Sequence, residues 1–184
     1  MPALVLSCAS RGGNKKAPST APGQVYLTDI CKYTLLPPLY HGNALDMAQQ
    51  ISASYKGSDF LLDAWVKSDK NEIFISLFNS FGSNMGELIY REDEIYFSSP
   101  VFPSSLKSEY IIADFQLCFY DPVMVGKALE ESGLSLELSA GGENTEIRRV
   151  FYKKNKIIEI CKKDGRISYA NFLRDYSYTI DGAF

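Results

Sequence analysis

The sequence predicts a mainly β protein: an antiparallel domain of about ten strands broken by one helical insertion, an α+β arrangement. Three observations carry that expectation. Short apolar or alternating runs of strand length recur from residue 49 onward, each bounded by turn-forming residues. The chain holds 12 Tyr and 11 Phe, whose rings pack well on a pleated surface. The hydrophobic period becomes helical only once, over 111–132, so there is no alternation of strands and helices to suggest a parallel sheet.

A chain of 184 residues buries about 70% of its unfolded surface, enough for one self-sufficient core. The formal net charge of -3 supplies no basic stripe for nucleic acid. No run approaches the roughly 18 apolar residues that span a bilayer, so any membrane attachment must be peripheral or covalent.

Five strands come first, over 49–55, 60–67, 73–79, 85–90 and 94–98. The breaks between them, such as Ser68-Asp69-Lys70-Asn71 and Arg91-Glu92-Asp93, favour turns by local hydrogen bonding or positive φ. Two of these strands are apolar on both faces. Ile73, Ile75 and Leu77 alternate with Phe74 and Phe78, while Phe60, Leu62, Ala64 and Val66 alternate with Leu61 and Trp65, which one-sided burial would not produce.

Ile111, Ile112, Phe115, Cys118 and Phe119 then fall at helical spacing after Pro103 and a candidate cap at Ser105, although Phe115-Leu117-Phe119 also permits a strand. A second helix is expected over 122–132. Asp121 can cap it, Pro122 suits its first position and Gly133 can close it. Strands resume at 134–139, 148–152, 157–162, 166–172 and 176–180, with Asp164-Gly165 as a two-residue hairpin turn. Consecutive strands are expected to pair antiparallel.

Upstream, Pro37-Pro38 hold Tyr33 to Tyr40 extended. Residues 9–29 contain Gly, Pro, Ser and Lys with few apolar side chains and read as a flexible tether. The first eight residues, MPALVLSC, lead a short apolar stretch through Ser7 to Cys8, and look like a bacterial lipobox at the end of a truncated signal peptide. In that resemblance Cys8 becomes the lipidated first residue, and several acyl chains together anchor far more firmly than one. Ala9 lacks the Asp that marks inner-membrane retention, which leaves the outer membrane as the expected address. Cys31, Cys118 and Cys161 show no CxxC or Cys/His spacing; Cys118 and Cys161 read as small core residues, and no disulfide is predicted.

Leu35-Leu36-Pro37-Pro38, the segment Ala113-Asp114-Phe115-Gln116-Leu117 leading to Pro122, and Asp175-Tyr176-Ser177-Tyr178-Thr179-Ile180 resemble an uncharacterised family of bacterial lipoproteins over about residues 30–181. That family is similar to the LolA and LolB lipoprotein carriers. The resemblance implies, for residues 30–184, an unclosed half-barrel of about 10–11 strands covered by helices, sheltering an acyl chain or other hydrophobic ligand, and it brings no catalytic residue.

Leu62, Val66, Ile75, Leu77, Leu88 and Ile111 are then candidates for the wall of a hydrophobic cavity, the alternative being an ordinary closed core. Phe81, the aromatic of the polar hairpin Asn79 to Asn84, resembles in kind the protruding loop with which LolB works at membranes; the alternative is a ring folded back over the sheet. Arg148-Arg149 can meet a lipid phosphate or form a solvated edge. With His41 the sole histidine, and no GxSxG, HExxH or phosphate-cradling loop, neither an enzyme nor a cofactor is expected.

The expected function is that of an outer-membrane lipoprotein facing the periplasm, which binds or transfers a lipid, a lipoprotein acyl chain or a polyene-type product. Its partners would be that ligand and the membrane, with no nucleic acid. The alternative is a structural lipoprotein that recruits an envelope protein through a strand edge or loop.

Overall fold

The computed structural model describes residues 23–38, 44–55, 57–102 and 107–184. Cys8, His41, Pro103 and Ser105 lie outside them, so the lipobox and the expected Ser105 cap fall outside the described residues.

Two short strands, β1 (Gln24–Tyr26) and β2 (Lys32–Thr34), form a separate antiparallel hairpin. Val25, Leu27 and Tyr33 are buried, so this hairpin is pinned to the domain although β1 lies inside the stretch read as a tether. The meander follows as β3 (Leu45–Tyr55), β4 (Ser58–Ser68), β5 (Glu72–Phe78), β6 (Asn84–Arg91) and β7 (Glu94–Ser98). After α1 (Ser108–Phe119) and α2 (Pro122–Glu131) come β8 (Ser135–Ala140), β9 (Thr145–Tyr152), β10 (Asn155–Lys163), β11 (Arg166–Asn171) and β12 (Tyr176–Asp181).

All ten later strands join one antiparallel sheet in the order β7-β6-β5-β4-β3-β12-β11-β10-β9-β8. Two five-stranded meanders are thus sewn together by β12 against β3, with Tyr176 opposite Tyr55 and Ile180 opposite Ile51. The order ends on two edge strands, β7 and β8, so the sheet is unclosed.

Local signals explain the turns and caps. Asp164 and Gly165 both have positive φ, as a twist-matched two-residue hairpin turn requires. Asp121 accepts from the Val123 and Met124 amides at the start of α2, and Pro122 occupies its first turn. Gly133, at φ 77, ends α2, and the Gly133 and Leu134 amides bond back to Glu130 and Leu129. Helix α1 is the expected helix rather than a strand; Lys107 stands at its N-cap without a side-chain bond.

Strand alternation sorts the sheet into two faces. Ala64 and Val66, Ile73 and Ile75, Leu88 and Tyr90, Ile158 and Ile160, and Ile167 and Tyr169 are buried together with Ile112, Phe115 and Leu117 of α1, and this is the inner face. The outer face of β4 carries Leu61, Asp63, Trp65 and Lys67, all exposed, a correction to the two-sided burial expected of that strand, whereas on the outer face of β5 Phe74 is partly buried and Ser76 buried. Burying each large inner side chain contributes about 1.5–3 kcal/mol.

Candidate functional site

Three of the six candidate wall residues form one cross-strand row. Val66 faces Ile75, which faces Leu88, and Met47 and Phe97 extend the row to β3 and β7. Val66, Ile75 and Leu88 are buried in the core cluster. One step toward the β3–β4 turn, the next inward row runs Gln49, Ala64, Leu77 and Gly86. Beyond it Leu62 pairs with Ile51. Leu62, Leu77 and Ile111 keep partial contact with solvent, and Leu77 and Ile111 pack against the core.

Gln49 was not singled out by its sequence. It occupies an inward position between Met47 and Ile51, is 5% exposed, and its Nε2 donates to nothing. Leaving such a donor unmet costs about 1–3 kcal/mol, so a buried unpaired amide in an apolar wall calls for an explanation. Its signal in the sequence is a polar residue on the apolar side of the alternation Leu45, Met47, Gln49, Ile51.

The three motif segments converge on α1. Gln116 accepts at Oε1 from the Tyr33 hydroxyl and the Leu36 amide, and its Nε2 donates to the Leu36 carbonyl at 2.6 Å. Tyr120 donates to the Pro37 carbonyl at 3.0 Å. On the other flank of the helix, the Asp114 carboxylate accepts from the Tyr169 and Tyr176 hydroxyls, both at 2.7 Å. The Tyr169 ring stacks on Tyr178 and Tyr176.

Burial pushes the Asp114 carboxyl up to about 7, against the opposing pull of the two tyrosine hydroxyls and the Arg174 charge. Burial likewise raises the three tyrosines, with the Asp114 charge adding to it, so their hydroxyls stay protonated and act as donors. The Cys118 thiol, 3.6 Å from the Tyr178 hydroxyl, is pushed up to about 12 by burial, which leaves it a poor nucleophile. These contacts fix α1 to β2 on one flank and to β11 and β12 on the other.

Arg148 and Arg149 point to opposite faces. Arg148 is 2% exposed on the inner face, where its Nη1 donates to the Leu117 and Tyr120 carbonyls at 3.0 and 2.8 Å. No basic residue stands in the last turn of α1, so a cation from β9 satisfies its C-terminal carbonyls instead. Glu146 closes the pair at 2.6 Å and also meets Lys162 at 3.4 Å. Arg149 bonds Glu159 and Ser139. Arg148 is thus held within the fold, a correction to the phosphate-binding and solvated-edge alternatives for that residue, while Arg149 stays partly exposed on the outer face in its ion pair.

A trough of about 630 Å³ lies on the outer face, across β4, β3, β12, β11 and β10. Small residues floor it, among them Ser52, Ser54, Ser168, Ala170, Ser177 and Thr179, with Leu61 on one side and Cys161 and Glu159 on the other. None of the six wall residues lines it. Cys161 therefore sits half-exposed on the outer face, a correction to its expected place in the core, because it falls on the outward phase of β10 between buried Ile160 and inward Lys162. Cys31, Cys118 and Cys161 are free thiols.

Phe81 is 91% exposed, so its ring stands away from the sheet. Asn79 shapes the loop beneath it, accepting at Oδ1 from the Phe81 and Ser83 amides at 3.0 and 2.9 Å.

Fold and site together define an unclosed, ten-stranded antiparallel β domain with two helices over one face. The chain belongs to a family described as proteins of unknown function, DUF3261, whose sequence model matches residues 46–182. No curated protein matches the sequence. The matched span runs from β3 to the end of the sheet, so it takes in both meanders and both helices.

Proposed function

We propose that this protein is a lipid-anchored lipoprotein of the cell envelope, on the periplasmic face of the outer membrane. In this proposal it binds or hands on a hydrophobic molecule in a LolA/LolB-like half-barrel, by reversible burial without covalent chemistry. The supporting observation is the graded inner wall. Val66, Ile75 and Leu88 make a buried floor, Leu62, Leu77 and Ile111 stay partly open above it, and the unmet Gln49 amide lies between. Apolar side chains with one convergent polar group are the usual make-up of a small-ligand site. Each ligand methylene buried there contributes about 0.8 kcal/mol. The Gln49 amide would donate to a carbonyl of an acyl ester or amide. Cys8 supplies the anchor in this proposal, and Phe81 a contact with the membrane.

The test is displacement of a fluorescent fatty acid by unlabelled fatty acid and lipopeptide. The parent chain takes up the probe, and Leu77→Arg abolishes uptake while the circular dichroism spectrum stays that of the parent. Absence of uptake by a folded parent chain overturns the proposal. The anchor is tested separately. Cys8→Ala, expressed with its upstream start, is expected to leave the membrane fraction, and unchanged fractionation refutes it.

The second reading is a filled-core lipoprotein that recruits an envelope protein. The burial of Val66, Ile75 and Leu88 favours it, as does an exposed stretch of β4. Pairing with β5 stops at Asp63 opposite Phe78, so Phe60 and Leu61 project, each about half exposed, from a strand bonded there only to β3.

A further inference from the structure

The Phe81 loop is not alone at its end of the sheet. In the antiparallel registers, Tyr176 lies opposite Tyr55 and Phe78 opposite Asp63, so the β5–β6, β3–β4, β11–β12 and β9–β10 turns all project from one end. The β11–β12 turn there carries Phe172 and Leu173, 52% and 55% exposed, followed by exposed Arg174. The neighbouring β9–β10 turn carries exposed Lys153 and Lys154.

These two turns make one patch. The Phe172 amide bonds the Ile157 carbonyl at 2.9 Å, and the Lys156 ammonium sits 4.8 Å from the Phe172 ring centroid. Arg174 lies over the Tyr110 ring at 4.5 Å and also bonds the Tyr26 carbonyl. Glu159 is already engaged by Lys156 and Arg149, and Asp175 is the exposed acid of the β11–β12 turn. The opposite end of the sheet is mixed in charge, with Asp69, Glu92, Asp93, Glu94, Glu143 and Asp164 in or beside its turns together with Lys70, Arg91, Lys163 and Arg166.

We propose that the Phe172-Leu173-Arg174 turn and the Lys153-Lys154 turn together form a docking patch for an anionic lipid surface, separate from the Phe81 loop. Exposed apolar side chains beside Lys and Arg are what the water–lipid interface accepts, because the rings enter the headgroup layer while the cations remain at the phosphates. Anchored at two separated turns, the sheet stands with its strand ends toward the bilayer, and the partly exposed Leu62 and Leu77 of the inner wall lie near that end. The proposal rests on the membrane-facing part of the reading above, not on the ligand.

The test uses the full chain with Cys8→Ser, which removes the proposed anchor, and flotation with vesicles of phosphatidylcholine alone or with about 30% phosphatidylglycerol. The chain is expected to float with the anionic vesicles at low salt, to be released by high salt, and to ignore the neutral ones. Lys153→Ala with Lys154→Ala is expected to weaken binding about 10- to 30-fold, from about 1 kcal/mol per cation near a charged surface. Phe172→Ser with Leu173→Ser is expected to weaken it comparably. If that pair fails to fold by circular dichroism, Lys153→Glu with Lys154→Glu replaces it, and loss of flotation is again the expected result. Equal binding to neutral vesicles, no flotation at all, or variants that bind like their parent while Phe81→Ser abolishes binding each overturn the proposal. Fatty-acid uptake measured without vesicles is independent of all these outcomes, so loss of the patch and loss of the carrier function are told apart.

Discussion

Replacing Asp114 by asparagine should make the domain more stable, increasingly so as pH rises above about 4. Its carboxyl is raised by burial from about 3.8 to about 7 in the folded chain. The folded state therefore holds this proton more tightly than the unfolded one, and the group favours folding least where it must ionise. Its unfavourable contribution is absent below about pH 4, grows as pH rises through the interval, and is complete above about 7. At about 1.4 kcal/mol per pH unit the interval amounts to about 4 kcal/mol. That figure is a ceiling, because Asp114 keeps partial contact with water, which screens its charge. Asparagine retains an acceptor for one tyrosine hydroxyl and offers a donor to the other. Asp114→Asn should therefore exceed the parent by about 1–2 kcal/mol at pH 5 and by about 2–4 kcal/mol at pH 8. Urea unfolding followed by far-ultraviolet circular dichroism measures this; the single Trp65 is already 46% exposed and reports poorly. Parallel stability profiles from pH 5 to 8 would refute the reasoning.

Arg148→Met should cost about 3–5 kcal/mol in the same assay, since it strips the Leu117 and Tyr120 carbonyls of a charged donor and leaves Glu146 with Lys162 alone. Gln49→Leu should raise stability by about 1–3 kcal/mol by removing an unmet buried donor, yet weaken uptake of ligands with an acyl carbonyl; a loss of stability would show that the amide is satisfied in the apo fold. In native protein, a thiol reagent should modify Cys161 at the trough well before Cys118, whose thiol is buried and pushed up to about 12. Equal rates would mean that α1 lifts from the sheet on the labelling time scale.

Short-range features were legible in the sequence. Asp164-Gly165 makes its hairpin because both residues tolerate positive φ, and Asp121, Pro122 and Gly133 bound α2 through caps that depend on neighbours within a few positions. Most strands from β3 onward begin and end close to where alternation and turn residues place them, although β3 starts at Leu45 rather than at 49 and β9 at Thr145 rather than at 148. What escaped notice depends on distant partners. The β1–β2 hairpin has three residues per strand, too few to show a period, and is pinned by Val25 and Tyr33 against α1. The β3–β12 seam joins residues more than a hundred positions apart, and nothing local specifies it. Arg148 was ambiguous because whether a strand cation caps a helix depends on where that helix docks. The same limit hid the Asp114–Tyr169–Tyr176 cluster, although each member lies in or beside a motif segment. The candidate wall illustrates both sides: alternation assigns Leu62, Val66, Ile75, Leu77 and Leu88 to one face, while their division into a buried floor and a partly open rim comes from the placement of α1.

The carrier proposal is tested most directly by native mass spectrometry of the protein purified from bacterial membranes, before and after organic extraction. Extraction separates a held ligand from the covalent anchor proposed for Cys8, which it would leave in place. An extractable, lipid-sized adduct that is lost in folded Leu77→Arg is the predicted result. A clean apo mass, unchanged by added fatty acid or lipopeptide, would contradict the carrier proposal and leave the filled-core lipoprotein in its place.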